Sequence, residues 1–129
     1  EAQKPILLKD DHYWEIALDA MYAVTSKKSG TADKAFAGTS YSVAGKSGTA
    51  QVVSIKEDET YDADSMKERH RDNAMFVAFA PFKNPEIVAS VVLENAGGGS
   101  SHAAPIVRSL FDEYFDNKAP YPTTQSAGL

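Results

Sequence analysis

The chain of 129 residues contains no cysteine. Disulfide bonds and thiolate metal sites are therefore excluded, although the absence identifies no compartment. Positive charge is in deficit as well: 13 Lys and Arg stand against 18 Asp and Glu, for a net charge of -5. A nucleic-acid partner would call for a basic stripe, and anionic lipid attracts basic segments, so neither is expected. Long apolar runs are also missing. The longest, residues 74–82 and 87–93, fall well short of the roughly 20 residues that cross a bilayer. The opening residues Glu1-Ala2-Gln3-Lys4-Pro5 lack the charged start and apolar stretch of a signal peptide, so an export signal or anchor is expected on other sequence. No internal repeat is visible. What is present is ordinary globular composition, 43% hydrophobic and 24% charged, enough for one packed core.

The apolar pattern changes period along the chain. Between residues 12 and 25, Trp14, Ala17, Leu18, Met21, Tyr22 and Thr25 recur at helical spacing, with Asp10 or Asp11 as N-cap and Gly30 as the stop. Trp14 and Met21 are expected in the core. Residues 31–40 are small and polar and read as a loop. Residues 41–55 read as a long strand interrupted by Gly45 and Gly48, where something approaches the backbone closely. Residues 56–64 form a polar connector, and Ser65-Met66-Lys67-Glu68 is a capping box that predicts a short helix to about Arg71. Two more strands lie at 74–80 and 87–93, separated by a turn at Phe82-Lys83-Asn84-Pro85. The Gly97-Gly98-Gly99 run reads as a flexible turn, Ser101 as an N-cap, and Pro105 as the first turn of a helix. That helix carries the stripe Ile106, Val107, Leu110, Phe111, Tyr114 and Phe115. Residues 118–129 read as a flexible tail beyond a domain part at 1–117.

The second and third strands are almost continuously apolar, so both faces of their sheet are expected to be covered. The third strand has no Lys or Pro to guard it as an edge. A further strand is therefore expected beside it, which makes the chain part of a larger sheet.

The segment richest in chemistry is Ala44-Gly45-Lys46-Ser47-Gly48-Thr49-Ala50-Gln51-Val52. A strand offering a cation, hydroxyls, a missing side chain and a free N–H suits a carboxylate held beside an oxyanion. Gly48 lets a ligand backbone lie against the strand. On these residues alone, a solvated Lys-Ser turn between two strands fits equally well.

The same residues resemble a known family. Lys46-Ser47-Gly48 matches the third motif of penicillin-binding proteins and class A β-lactamases. Met21-Tyr22-Ala23-Val24, Gly30-Thr31-Ala32, Phe76-Val77-Ala78-Phe79-Ala80-Pro81, Val92-Leu93-Glu94-Asn95 and Ala104-Pro105 look like class B penicillin-binding proteins. The stretch from Glu59 through Asp72 resembles the elongation-type group, penicillin-binding protein 2. The resemblance covers residues 13–116. It implies an α/β (α+β) transpeptidase domain with a five-stranded antiparallel sheet, of which this chain supplies strands three to five, flanked by helices. It implies acyl transfer on peptidoglycan stem peptides, acylation by β-lactam antibiotics, and no cofactor or metal. Lys46 is then expected to move protons, and Ser47 and Thr49 to hold the terminal carboxylate. The Thr49 N–H is expected in the oxyanion hole, with Gly48 and Ala50 along the substrate. The implied location is the periplasmic side of the inner membrane, with a membrane glycan polymerase as partner.

One departure is plain. No Ser in the chain begins a Ser-x-x-Lys or a Ser-x-Asn sequence. The nucleophile is expected on a separate N-terminal part of the same domain, and this chain alone is expected to be inactive. Two other readings are a β-lactam hydrolase of the same superfamily and a non-catalytic module that binds an extended peptide at its sheet edge. His12, His70 and His102 have no metal-ligand spacing. The acids Asp62, Asp64, Glu68 and Asp72 read as a solvated connector.

Overall fold

A computed structural model describes residues 6–52 and 67–117. Helix α1 (His12–Ser26) leads to strand β1 (Ala44–Ala50), then β2 (Asn73–Ala80), β3 (Ile87–Leu93) and helix α2 (Ala104–Asp116). The strands form one antiparallel sheet in the order β1-β2-β3. Lys46 lies opposite Val77, and Ala78 opposite Ala89. The capping box falls largely outside the described residues, and the helix expected from it is a single 3-10 turn, Glu68–His70.

The ends of α1 are set locally. Asp10 Oδ1 accepts the His12 N–H at 2.9 Å, while Asp11, at the N-cap position, makes no side-chain cap. Gly30 lies directly on the helix end, since a Cβ there would stand 2.3 Å from the Val24 carbonyl oxygen. Trp14 does not join the core. It is 45% exposed, and Tyr13, Ile16 and Leu18 are exposed with it; Met21 is half-buried. Periodicity marks a stripe as apolar but does not supply the surface that covers it. Among the described residues, only the C-terminal turns of α1 meet the core, through Val24 and Thr25.

Strand β1 begins at Ala44, three residues later than the alternation predicts. Both residues expected to open it are bound elsewhere. The Tyr41 hydroxyl reaches α2, and the Val43 carbonyl accepts the Thr25 hydroxyl. Residues 53–55, the expected end of the strand, lie outside the described residues. The boundaries of β3 match the sequence reading. The turn before it places Asn84 at φ 56°, a left-handed conformation that Asn tolerates.

The core lies on one face of the sheet. Ala74, Phe76, Ala78 and Ala80 of β2 are fully buried there against Val107 and Phe111 of α2, with Phe36 and Val43 closing one side. Three alanines in alternate positions let α2 and the turn before it approach the strand. The other face is open. Val88 is 70% exposed and Val92 58%, with Val77 beside them. The expected cover on both faces is thus found on one, because no second layer lies over Val77, Val88 and Val92 among the described residues.

Ser101 is not an N-cap. A π-helical turn, Gly99–Ala103, runs straight into α2 through backbone bonds: the His102 N–H reaches the Gly98 carbonyl and the Ala104 N–H the Gly99 carbonyl. Ser101 Oγ instead donates to the Gly98 carbonyl at 3.1 Å.

Candidate functional site

Strand β1 is a sheet edge among the described residues, with β2 on its inner side only. Alternation along the strand sorts the sequence-predicted residues onto two faces. Lys46 and Gly48 share the open face with Val77 and Met75, their partners on β2. Ser47 and Thr49 face the other way, opposite Phe76 and Ala74. Lys46 and Thr49 are exposed; Ser47, Gly48 and Ala50 are half-buried. A cation on one side of the edge and two hydroxyls on the other flank the strip of backbone from Lys46 to Thr49.

No described acid forms an ion pair with Lys46. Its Nζ donates to the Ser47 carbonyl oxygen at 2.6 Å, within its own strand. Ser47 Oγ lies 3.5 Å from the Thr31 hydroxyl, which the loop after Gly30 brings beside the strand. In the sequence Thr31 stands out only as part of the resemblance; its place beside Ser47 is set by tertiary structure. Gly48 keeps the strip low: a Cβ there would meet Met75 Cε at 3.2 Å. A shallow cavity of about 270 Å³ on the open face is lined by Lys46, Ser47, Gly48, Met75, Val77 and Ser90, among others. A larger one of about 540 Å³ lies between α1 and residues 36–43 and contains no side chain of the motif.

Two tethers hold this strand from behind. Asp72, read from the sequence as part of a solvated connector, is 4% exposed. Its Oδ1 accepts the Val52 N–H at 3.3 Å just past β1, and its carbonyl accepts the Gly97 N–H at 2.8 Å. Residues 59–66, with Asp62 and Asp64, lie outside the described residues. At the other end of β1, Tyr41 donates to Asp112 Oδ1 at 2.6 Å and stacks on Phe115. Arg108 Nε binds Asp112 Oδ2 at 2.6 Å, and its Nη1 reaches the Ala37 carbonyl at 3.0 Å. Nothing local in the sequence links positions 41 and 112.

Burial pushes the Tyr41 hydroxyl well above its ordinary pKa, and the bond to Asp112 adds to the shift. Burial also acts to raise the Asp112 carboxyl, but the hydrogen bonds from Tyr41 and Arg108 outweigh it and hold the group below its usual value. A carboxyl lowered in the folded state stabilises above its unfolded pKa of about 4, and that contribution fades as pH falls through the folded value. A raised hydroxyl stabilises below its unfolded pKa of about 10 and loses the effect as pH rises through the folded value. Tyr41→Phe is expected to cost about 1 kcal/mol near neutral pH, allowing for solvent at Asp112. The difference from the parent protein should shrink below about pH 4. Urea unfolding at pH 7 and pH 3 measures it; an equal difference at both would contradict the coupling.

The histidines are apart from this site. His12 pairs with Glu15 at 2.7 Å, His70 with Arg69 at 3.2 Å, and His102 with Ser101 at 3.0 Å. Among the described residues no cluster of His, Asp or Glu is arranged to hold a metal, and no helix is long and apolar enough to cross a membrane.

A family model of the penicillin binding protein transpeptidase domain matches residues 3–112. The Haemophilus influenzae protein named peptidoglycan D,D-transpeptidase MrdA is 51% identical over 107 residues, which cover 83% of this chain and 16% of the relative. The protein of that name from Escherichia coli K12 is 42% identical over 117 residues, 89% of this chain and 18% of the relative. Among solved structures, Pseudomonas aeruginosa PBP2 in complex with WCK 5153 aligns with a TM-score of 0.70 at 39% identity, over 86% of this chain and 21% of that one. Helicobacter pylori PBP2 in complex with MreC aligns at 0.62 and 28% identity, over 74% of this chain and 16% of that one. The chain therefore spans under a fifth of the length of these two curated relatives.

Proposed function

This chain belongs to the penicillin-binding protein transpeptidase family, as a C-terminal part of the domain of a class B, elongation-type penicillin-binding protein 2, and from that membership we propose that it forms the substrate-holding wall of a serine D,D-transpeptidase. The serine, carried on the other part of the domain within Ser-x-x-Lys, attacks the carbonyl between the two terminal D-alanines of a stem peptide. The peptide C–N bond breaks, D-alanine leaves with the proton, and an acyl-enzyme remains. An amine of a neighbouring stem then displaces the serine and forms the cross-link. A β-lactam enters by the same first step, its ring C–N bond opening. Acyl transfer of this kind proceeds through side chains and backbone alone, so no metal or cofactor is invoked.

The roles derive from position on β1. Ser47 and Thr49 present hydroxyls on one face to the terminal carboxylate. Lys46, on the other face, helps move the serine proton and keeps the site positive. The Thr49 N–H stabilises the oxyanion, with Gly48 and Ala50 lying along the substrate backbone. The observation that carries this reading is the edge of β1, unpartnered among the described residues and flanked by Lys46 and the two hydroxyls. The rest of the domain, with Ser-x-x-Lys and Ser-x-Asn, is the first partner. It would supply a strand beside β3 and cover Val77, Val88 and Val92. A membrane glycan polymerase and the periplasmic face of the inner membrane complete the setting, with residues 1–117 as domain and 118–129 as tail.

A structure of the full-length enzyme acylated by a penicillin tests the reading. The drug carboxylate should lie about 2.7–3.2 Å from Ser47 Oγ and Thr49 Oγ, and the acyl oxygen at the same range from the Thr49 N–H. A carboxylate bound away from β1 would overturn it.

A further inference from the structure

The glycine run at 97–99 reads from the sequence as a flexible turn, yet Gly97 and Gly99 are buried. A Cβ built on Gly99 would stand 2.1 Å from the Met75 carbonyl oxygen, 2.5 Å from the Gly48 carbonyl oxygen and 3.1 Å from the Gly48 nitrogen. All three are main-chain atoms, so no side-chain rotation relieves the clash. Gly48 and Met75 are register partners across β1 and β2, and their side-chain positions point to the open face. On the core face the pair presents bare backbone, and Gly99 sits on it.

We propose that Gly99 is a positioning residue for the oxyanion donor, a role that rests on the function proposed above. The Gly48 carbonyl and the Thr49 N–H belong to one planar peptide group. A contact that fixes the Gly48 oxygen therefore fixes the direction of the Thr49 N–H. The seat is itself anchored: the Gly97 N–H is held by the Asp72 carbonyl, and the Gly98 carbonyl accepts bonds from Ser101 Oγ and the His102 N–H. Gly98 is different. Its Cβ would meet only Ser101 Oγ, at 3.0 Å, the end of a side chain that can turn away. Gly97 is glycine for its φ of 88°.

The test uses the full-length enzyme and a fluorescent penicillin, with stopped-flow kinetics to separate binding from the acylation rate constant, counted per labelled site. Gly99→Ala should lower that rate constant by about 10-fold to 100-fold, short of the 100-fold to 1000-fold typical of losing a donor outright. Initial binding should change less, and Gly98→Ala, whose Cβ meets only the movable Ser101 hydroxyl, should lower the rate constant no further than Ser101→Ala does and well short of Gly99→Ala. A residue that only supports the fold would lower the labelled fraction and leave the rate constant per site untouched; that result overturns the proposal. If Gly99→Ala yields no folded enzyme, Ser101→Ala decides, since it loosens the seat at an exposed position. A drop of about threefold or more in the rate constant supports the role, and an unchanged constant overturns it. Failure of the parent reading looks different: the parent enzyme would take no label, or would lose none of its labelling when Lys46 is replaced.

Discussion

Lys46→Ala in the full-length enzyme is expected to slow acylation by a labelled penicillin by about 100-fold to 10,000-fold, the range of positioned proton transfer. The thermal midpoint should hardly move. Lys46 is exposed, and its Nζ bond is to the adjacent Ser47 carbonyl, so truncation leaves no buried partner stranded. Loss of rate without loss of stability would place the lysine in the chemistry. Lys46→Arg separates its two assigned roles. Arginine keeps the positive charge but does not deprotonate in proteins. Substantial recovery of rate with arginine would reduce the role of Lys46 to charge; a rate near that of alanine would assign it proton movement. A rate within a few-fold of the parent for Lys46→Ala itself would remove the lysine from the mechanism.

The strip that holds Lys46 is readable because it depends on local sequence. The short, almost continuous apolar runs 74–80 and 87–93 and the turn at 82–85 place β2 and β3 within a residue of where they lie. Helical spacing places α1 and α2 in the same way. The misreadings share a different cause, which is distance along the chain. Tyr41 leaves β1 because a carboxylate 71 residues away takes its hydroxyl. Asp72 looks like one more acid of a polar connector, yet folding buries it between the exit of β1 and the glycine run. The run itself reads as slack, since composition cannot tell a glycine that must bend from one that must fit under a neighbouring backbone. Gly99 is the second kind. Trp14 and the open valines are the converse case. Their pattern is apolar, but the surface that would bury them is not formed by the described residues.

The site is legible to the same extent. Residue types and spacing in Lys46-Ser47-Gly48-Thr49 point to a carboxylate and an oxyanion, and the resemblance gives them roles. Which face each side chain takes needs the register with β2. The neighbours that lie beside them, Thr31, Asp72 and Gly99, come from three separate stretches of chain and are not visible in the motif.

The second large effect concerns the division of labour across the domain. A covalent penicillin adduct requires a nucleophilic serine near a lysine that activates it. Neither Ser-x-x-Lys nor Ser-x-Asn occurs in these 129 residues. Ser47, the hydroxyl nearest Lys46 in sequence, lies on the opposite face of β1 and is assigned to carboxylate binding. On the proposed function, the strand thus provides a surface for the ligand without the atom that attacks it. The proposed function rests on that separation. It is tested by incubating the purified chain with fluorescent penicillin, alone and together with the separately made part of the domain that carries Ser-x-x-Lys, and reading covalent label by denaturing gel. No label is expected on this chain in either case, and label on the other polypeptide should rise when the two are mixed. Label on this chain would contradict the division.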